Sequence, residues 1–222
     1  MDTCEVIKDI KGQFRLYMNG AASKSMREKG LGYKINWGIE LPRLKEIASK
    51  YEKNHAVAQE LWKENIRECK ILAGLLQPVD TFCEQLADNW AEEMPNPEIA
   101  QLTCLNLFQY LPYASQKAFQ WMADEREYVE LCGFSLIARL LMKGNKLNER
   151  AQEEFLDQAL AALEEDKLLI RQAVANALRK YGEQGEENRK RLIGLLIPLS
   201  NSENPEVKAV TDEIKSDMEY SF

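Results

Sequence analysis

Apolar residues recur at helical spacing along nearly the whole chain, and that periodicity confines it to an all-α fold. Leu61, Trp62 and Ile66 lead into Cys69, Ile71, Leu72, Leu75 and Leu76, close to an i, i+3, i+4 stripe. Leu102, Leu105, Leu107, Phe108 and Leu111 repeat it. So do Phe155, Ala159, Leu160 and Leu163, then Leu169, Ile170, Val174, Ala177 and Leu178. No alternating strand pattern flanks an Asn-Gly turn. Breakers fall between the stripes: Asn19-Gly20, Gly30-Leu31-Gly32, Pro78, Pro95-Asn96-Pro97, Pro112, Gly144-Asn145, Gly182 with Gly185, and Asn204-Pro205. This punctuation predicts helices over 3–18, 21–28, 42–52, 54–64, 66–76, 79–90, 97–111, 114–123, 127–143, 148–164, 167–182, 187–199 and 204–218. Asp80 and Asn96 read as N-caps.

Many helices with short connections suit an irregular bundle or an α-solenoid of stacked helix pairs. The pairs 97–111/114–123, 127–143/148–164 and 167–182/187–199 repeat at roughly 35–40 residues, near the HEAT period. The spacing leans towards an α-solenoid of HEAT-like pairs, read as one domain over residues 1–222.

Of the 222 residues, 45% are hydrophobic, enough for a substantial core. The opening residues, Met1-Asp2-Thr3-Cys4-Glu5-Val6-Ile7-Lys8-Asp9, carry charges where a signal peptide needs an apolar stretch. No run approaches the roughly 18 apolar residues of a membrane span. The expectation is a cytoplasmic protein without a membrane partner. Cys4, Cys69, Cys83, Cys104 and Cys132 are odd in number and scattered; the last four lie in apolar helical stretches and read as reduced core thiols. With His55 the single histidine and no zinc spacing or glycine-rich phosphate loop, no metal or cofactor is expected. The net charge of −7 argues against nucleic-acid binding by itself. Yet residues 167–191 hold seven bases (Lys167, Arg171, Arg179, Lys180, Arg189, Lys190, Arg191) against Glu183, Glu186 and Glu187.

Four further features occur in a recognisable order. Gly38, Ile39 and Pro42 precede an early helix; Leu61-Trp62 is followed by Arg67-Glu68; Trp121-Met122-Ala123-Asp124 precedes Tyr128; and Leu178-Arg179-Lys180-Tyr181 ends a helix. From Gly38 to Tyr181 the chain thereby resembles the DNA alkylation repair glycosylases of the AlkD-like, HEAT-repeat family. The resemblance implies a concave surface lined by the second helix of each pair, holding duplex DNA. Active members of that family excise cationic N3- or N7-alkylated purines without the base flipping usual for glycosylases. Their aspartate stabilises the oxocarbenium-like sugar and positions water. Two tryptophans touch the deoxyribose, and an arginine holds the backbone.

Carried over position by position, the resemblance places the first tryptophan at Trp90, the aspartate at Met94, the arginine at Leu131 and the second tryptophan at Asn176. Methionine neither stabilises a cation nor orients water. Glu93 and Glu92 are the nearest carboxylates, but on a helix a one-residue offset turns a side chain by roughly 100°. Trp90 reads either as a cleft aromatic or as a helix-end residue packing near Pro95 and Pro97. Arg171, Arg179 and Lys180 are candidate phosphate contacts, although cations near a helix C-terminus also complement its dipole. Arg189-Lys190-Arg191 follows Glu186 and Glu187 and reads as a salt-bridged face. Trp37, Trp62 and Trp121 read as packing residues.

Three functions compete. The first is a DNA-binding family member whose contacts include Trp90, Arg171, Asn176, Arg179 and Lys180, lacking the excision chemistry. The second is a glycosylase working through Glu93 or Glu92. The third is a protein-interaction scaffold of the helical-repeat type, which the acidic charge favours.

Overall fold

The computed structural model describes residues 2–220 and divides into two compact units between Leu111 and Pro112. The first unit holds α1 (Thr3–Tyr17), α2 (Gly20–Glu28), α3 (Leu41–Ala48), α4 (His55–Lys63), α5 (Arg67–Leu76), α6 (Glu84–Glu92) and α7 (Pro97–Asn106). The second holds α8 (Ala114–Met122), α9 (Glu127–Met142), α10 (Glu149–Glu164), α11 (Leu168–Gly182), α12 (Glu186–Leu196) and α13 (Pro205–Tyr220). The β-pairing among the described residues is a single parallel bridge, Ile35 to Ile66. No helix among them is long and apolar enough to cross a membrane.

The predicted helices are present, with two informative differences at their ends. The stretch read as one helix over 79–90 begins as a 3₁₀ turn, Val79–Thr81, and α6 starts only at Glu84, after extended Phe82 and Cys83. Asp80 is therefore inside the turn and not a cap. Cys83 becomes the N-cap of α6 and is exposed, not a core thiol. The stretch 97–111 breaks at Leu107 (φ −133°, ψ −63°), beyond which Phe108–Tyr110 forms another 3₁₀ turn. Asn96 caps α7 as expected, its Oδ1 accepting from Ile99 N at 3.1 Å.

Two of the three helix pairs inferred from spacing are out of phase with the packing, whereas the third, α11 with α12, is in contact as expected. In the second unit α8 packs on α9 and α10 on α11, while α12 packs on both α11 and α13. The first helices of these pairs start 35 and 37 residues apart. The second helices stack on one another, α9 on α11 and α11 on α13. In the first unit α4 pairs with α5, and α5 packs on α3 and α7. Both α5 and α9 are buried nearly all round, as expected of helices inside a stack. The α8–α9 crossing is tight: a Cβ on Gly133 would lie 2.3 Å from Met122 N, so only glycine fits there.

The features Gly38, Ile39 and Arg67-Glu68 have a common structural cause. Gly38 sits at φ +69°, and a Cβ there would lie 2.2 Å from Asn19 O. The loop around it is held by α5. Glu68, fully buried, accepts from the backbone N–H of Trp37 (3.1 Å) and Ile39 (3.3 Å). Arg67 donates to Ile39 O (2.8 Å) and, through Nη2, to Glu98 (2.7 Å) at the start of α7. Tyr33 donates to the same Glu98 at 2.7 Å; burial first, then Glu98, pushes its phenol well above the usual tyrosine range.

Candidate functional site

Trp90 lies on α6 and is 1% exposed. Its ring stacks on Trp62 of α4, with centroids 3.9 Å apart and planes 3° from parallel. Phe82 meets it edge-on at 4.9 Å. The ring is thus packed in an aromatic stack between α4 and α6.

Because α6 ends at Glu92, Glu93 and Met94 lie beyond the helix in the turn to α7. The helical offset inferred between them therefore does not apply. Met94 is buried. Glu93 is exposed, and it accepts from Trp62 Nε1 at 2.8 Å. That bond fixes the carboxylate on the far ring of the stack. The ammonium of Lys70, on α5, sits 4.2 Å over the same Trp62 ring. Burial pushes its amine below the ordinary lysine range, with Glu93 opposing. Trp90, Trp62, Glu93 and Lys70 thus form one cluster, with Met94 in the turn beside Glu93. Lys70 carried no signal in the sequence, since nothing in its neighbours singles it out from other helical lysines. Glu92 is exposed at the last residue of α6.

The remaining expected residues belong to the second unit. Leu131 is fully buried in α9. Asn176 is exposed on α11, with Arg179 and Lys180 one turn further on. Arg171 is 2% exposed and turned inward. Its guanidinium donates to Leu163 O (3.2 Å) and Glu165 O (2.7 Å) at the end of α10. It also donates to Glu206 of α13 (2.5 Å). The side chain thereby satisfies carbonyls that a helix C-terminus leaves open. Its donors are spent inside the fold, which removes it from direct phosphate contact. Arg179 pairs with Asp217 (2.5 Å) and Glu213 (2.8 Å), and Lys180 with Glu183 (2.8 Å).

The same holds across the basic segment. Lys167 pairs with Glu130 and Glu165, Lys190 with Glu186, and Arg191 with Glu153 at 4.0 Å. Six of its seven cations are thus matched to carboxylates; of the salt-bridged face expected for Arg189, Lys190 and Arg191, the last two are paired. Among the described residues no group of three or more histidine, cysteine or acidic side chains could hold a metal ion.

The scaffold has a close structural counterpart. One solved structure matches 95% of this chain and 94% of its own, with a TM-score of 0.79 at 16% identity. It is described as a new family of proteins related to the HEAT-like repeat DNA glycosylases with affinity for branched DNA structures. The chain's fold is accordingly the HEAT-like helical repeat. A designed armadillo repeat protein aligns over 79% of this chain and 90% of its own, with a TM-score of 0.39 at 14% identity. No curated protein matches the sequence. Residues 10–195 match the family described as DNA alkylation repair enzyme, and the chain belongs to that family.

Proposed function

We propose that the protein recognises duplex DNA as a member of the alkylation repair family that does not excise bases. The observation that carries this reading is the state of the cluster around Met94. An apolar, buried side chain stands where the resemblance puts an aspartate, and the neighbouring carboxylate, Glu93, is bonded to Trp62. Met94 cannot stabilise an oxocarbenium-like sugar, the step on which excision depends, and Glu93 is oriented towards Trp62. The affinity for branched DNA attributed to the structural counterpart supports a function that keeps DNA binding on a HEAT-like fold. On that ground a branched junction is included among the DNA forms this protein binds.

Fluorescence anisotropy with an undamaged duplex and a four-way junction, each at two salt concentrations, tests the reading. Binding to both that weakens steeply with salt is expected, because phosphate contacts release counterions. Absence of binding at low salt would contradict it. That result would favour a protein-interaction scaffold, the reading to which the net charge of −7 and the ion-paired segment 167–191 lend weight.

A further inference from the structure

DNA binding by a chain of net charge −7 requires a surface where positive charge is concentrated and not already neutralised. Residues 167–191 do not provide it, since six of their seven cations are paired internally. The opposite end of the sequence does. Residues 1–53 hold eleven Lys and Arg against seven Asp and Glu, a net of +4. Residues 54–111 hold three against nine, a net of −6. The net positive charge of the first unit is therefore confined to its first three helices and their loops.

Within that region three cations converge. Lys8, Lys11 and Arg15 lie in a sector of about 60° on α1, given about 100° per residue. Together with Cys4, Ile7 and Gly12 they line one groove of about 480 Å³. Lys8 and Arg15 are exposed, and no carboxylate among the described residues lies within ion-pairing distance of either. Lys11 is paired with Glu64, so the unneutralised charge of this face is that of Lys8 and Arg15. Glu5, the acid nearest this sector, is drawn towards the start of the helix, where it accepts from Asp2 N at 3.3 Å. Gly12 leaves the groove floor open, with nothing within 4 Å of the position a Cβ would take.

We propose that the α1 face bearing Lys8, Lys11 and Arg15 binds the phosphodiester backbone of DNA. The assignment rests on the DNA-binding reading above and places its contacts outside the segment 167–191. An anionic membrane surface would also attract this charge. However, Ile10 and Phe14 of α1 are wholly buried in the core, and Leu16, its one large well-exposed apolar residue, lies about 80° around the helix from Lys8, outside the sector that carries the cations. The stripe is thus suited to a polyanion that lies along it without needing an apolar anchor.

The test compares the full-length wild type with Lys8→Gln/Arg15→Gln and, as a control, Lys190→Gln/Arg191→Gln. All three are titrated with an undamaged duplex over a range of salt, and with vesicles containing phosphatidylserine. Both pairs are exposed or surface ion-paired, and retained helicity and thermal midpoint confirm that each variant folds. The account expects Lys8→Gln/Arg15→Gln to lower the slope of log affinity against log salt by about 2 and to weaken low-salt binding on the order of tenfold or more. The control should keep the wild-type slope. If the wild type binds DNA with a salt-dependent affinity that the α1 variant leaves unchanged, this surface is not the contact, while the DNA-binding reading survives. If the α1 variant loses vesicle binding but not DNA binding, the surface serves membranes and the proposal is overturned. If the wild type binds no DNA at any salt, the DNA-binding reading fails and takes this proposal with it.

Discussion

The indole rings of Trp62 and Trp90 lie 3.9 Å apart and 3° from parallel, with Phe82 edge-on against one and the Lys70 ammonium over the other. The position at which the resemblance implies a sugar-contacting tryptophan is thus occupied by a residue that joins α6 to α4. Its indole is buried in the core.

Truncating this stack should act on stability first. Trp90→Ala removes a large, 1%-exposed side chain and should cost about 3–5 kcal/mol, read by urea denaturation. At a temperature where the variant remains folded, its affinity for undamaged duplex should match the wild type.

Restoring the aspartate should not restore excision. Met94→Asp places a carboxyl in a buried apolar position, at an expected cost on the order of 2 kcal/mol or more. Release of N7-methylguanine from duplex DNA should stay at the spontaneous rate, because Leu131 and Asn176 stand at the other altered positions. Base release above background by this single variant would show that the rest of the site is competent.

The Arg67–Glu68 pair should prove structural. Glu68 is fully buried and holds the loop at Gly38 through two backbone N–H groups, and Arg67 ties the same loop to Glu98. Removing one member of such a pair leaves a buried charge uncompensated. Glu68→Ala or Arg67→Ala should each lower unfolding free energy by about 3–5 kcal/mol. A loss below about 1 kcal/mol in calorimetry would mean that the network contributes little.

Thiol reactivity should divide the cysteines by burial. Cys4 and Cys83 are exposed, whereas Cys69, Cys104 and Cys132 are buried. Burial pushes the Cys69 thiol up to about 12, so it holds almost no reactive thiolate near neutral pH. Alkylation of the native protein at pH 8 should label Cys4 and Cys83 quickly and spare the other three, with all five labelled in denaturant. Mass spectrometry of the peptides reads the pattern directly.

Helix content was legible in the sequence because the 3.6-residue period is local and survives in nearly every element. The start of α6 was not: Asp80 has the chemistry of a cap, but Pro78 precedes a 3₁₀ turn that consumes it. Pairing phase was also hidden, because spacing alone does not say whether a helix packs on its predecessor or its successor. At the site, the place of Met94 where an aspartate is expected rests on the family resemblance in the sequence. The fates of Trp90, Glu93, Arg171 and Arg179 depend on residues far away in sequence. Glu93 is held by a side chain 31 residues away, Arg171 by one 35 away and Arg179 by one 38 away. A run of basic residues looks like a nucleic-acid footprint until such partners are known. The excess of cations in residues 1–53 could have been counted from the sequence, but its lack of neutralising partners on α1 could not.

The central claim is that this protein holds DNA without excising an alkylated base. The most direct measurement is a single-turnover base-release assay on a duplex carrying N7-methylguanine, run at a protein concentration where anisotropy shows the duplex saturated. The expected result is a fully bound duplex and release no faster than in buffer. Release above that rate, lost in Glu92→Gln/Glu93→Gln, would contradict it and establish a working glycosylase with a displaced carboxylate.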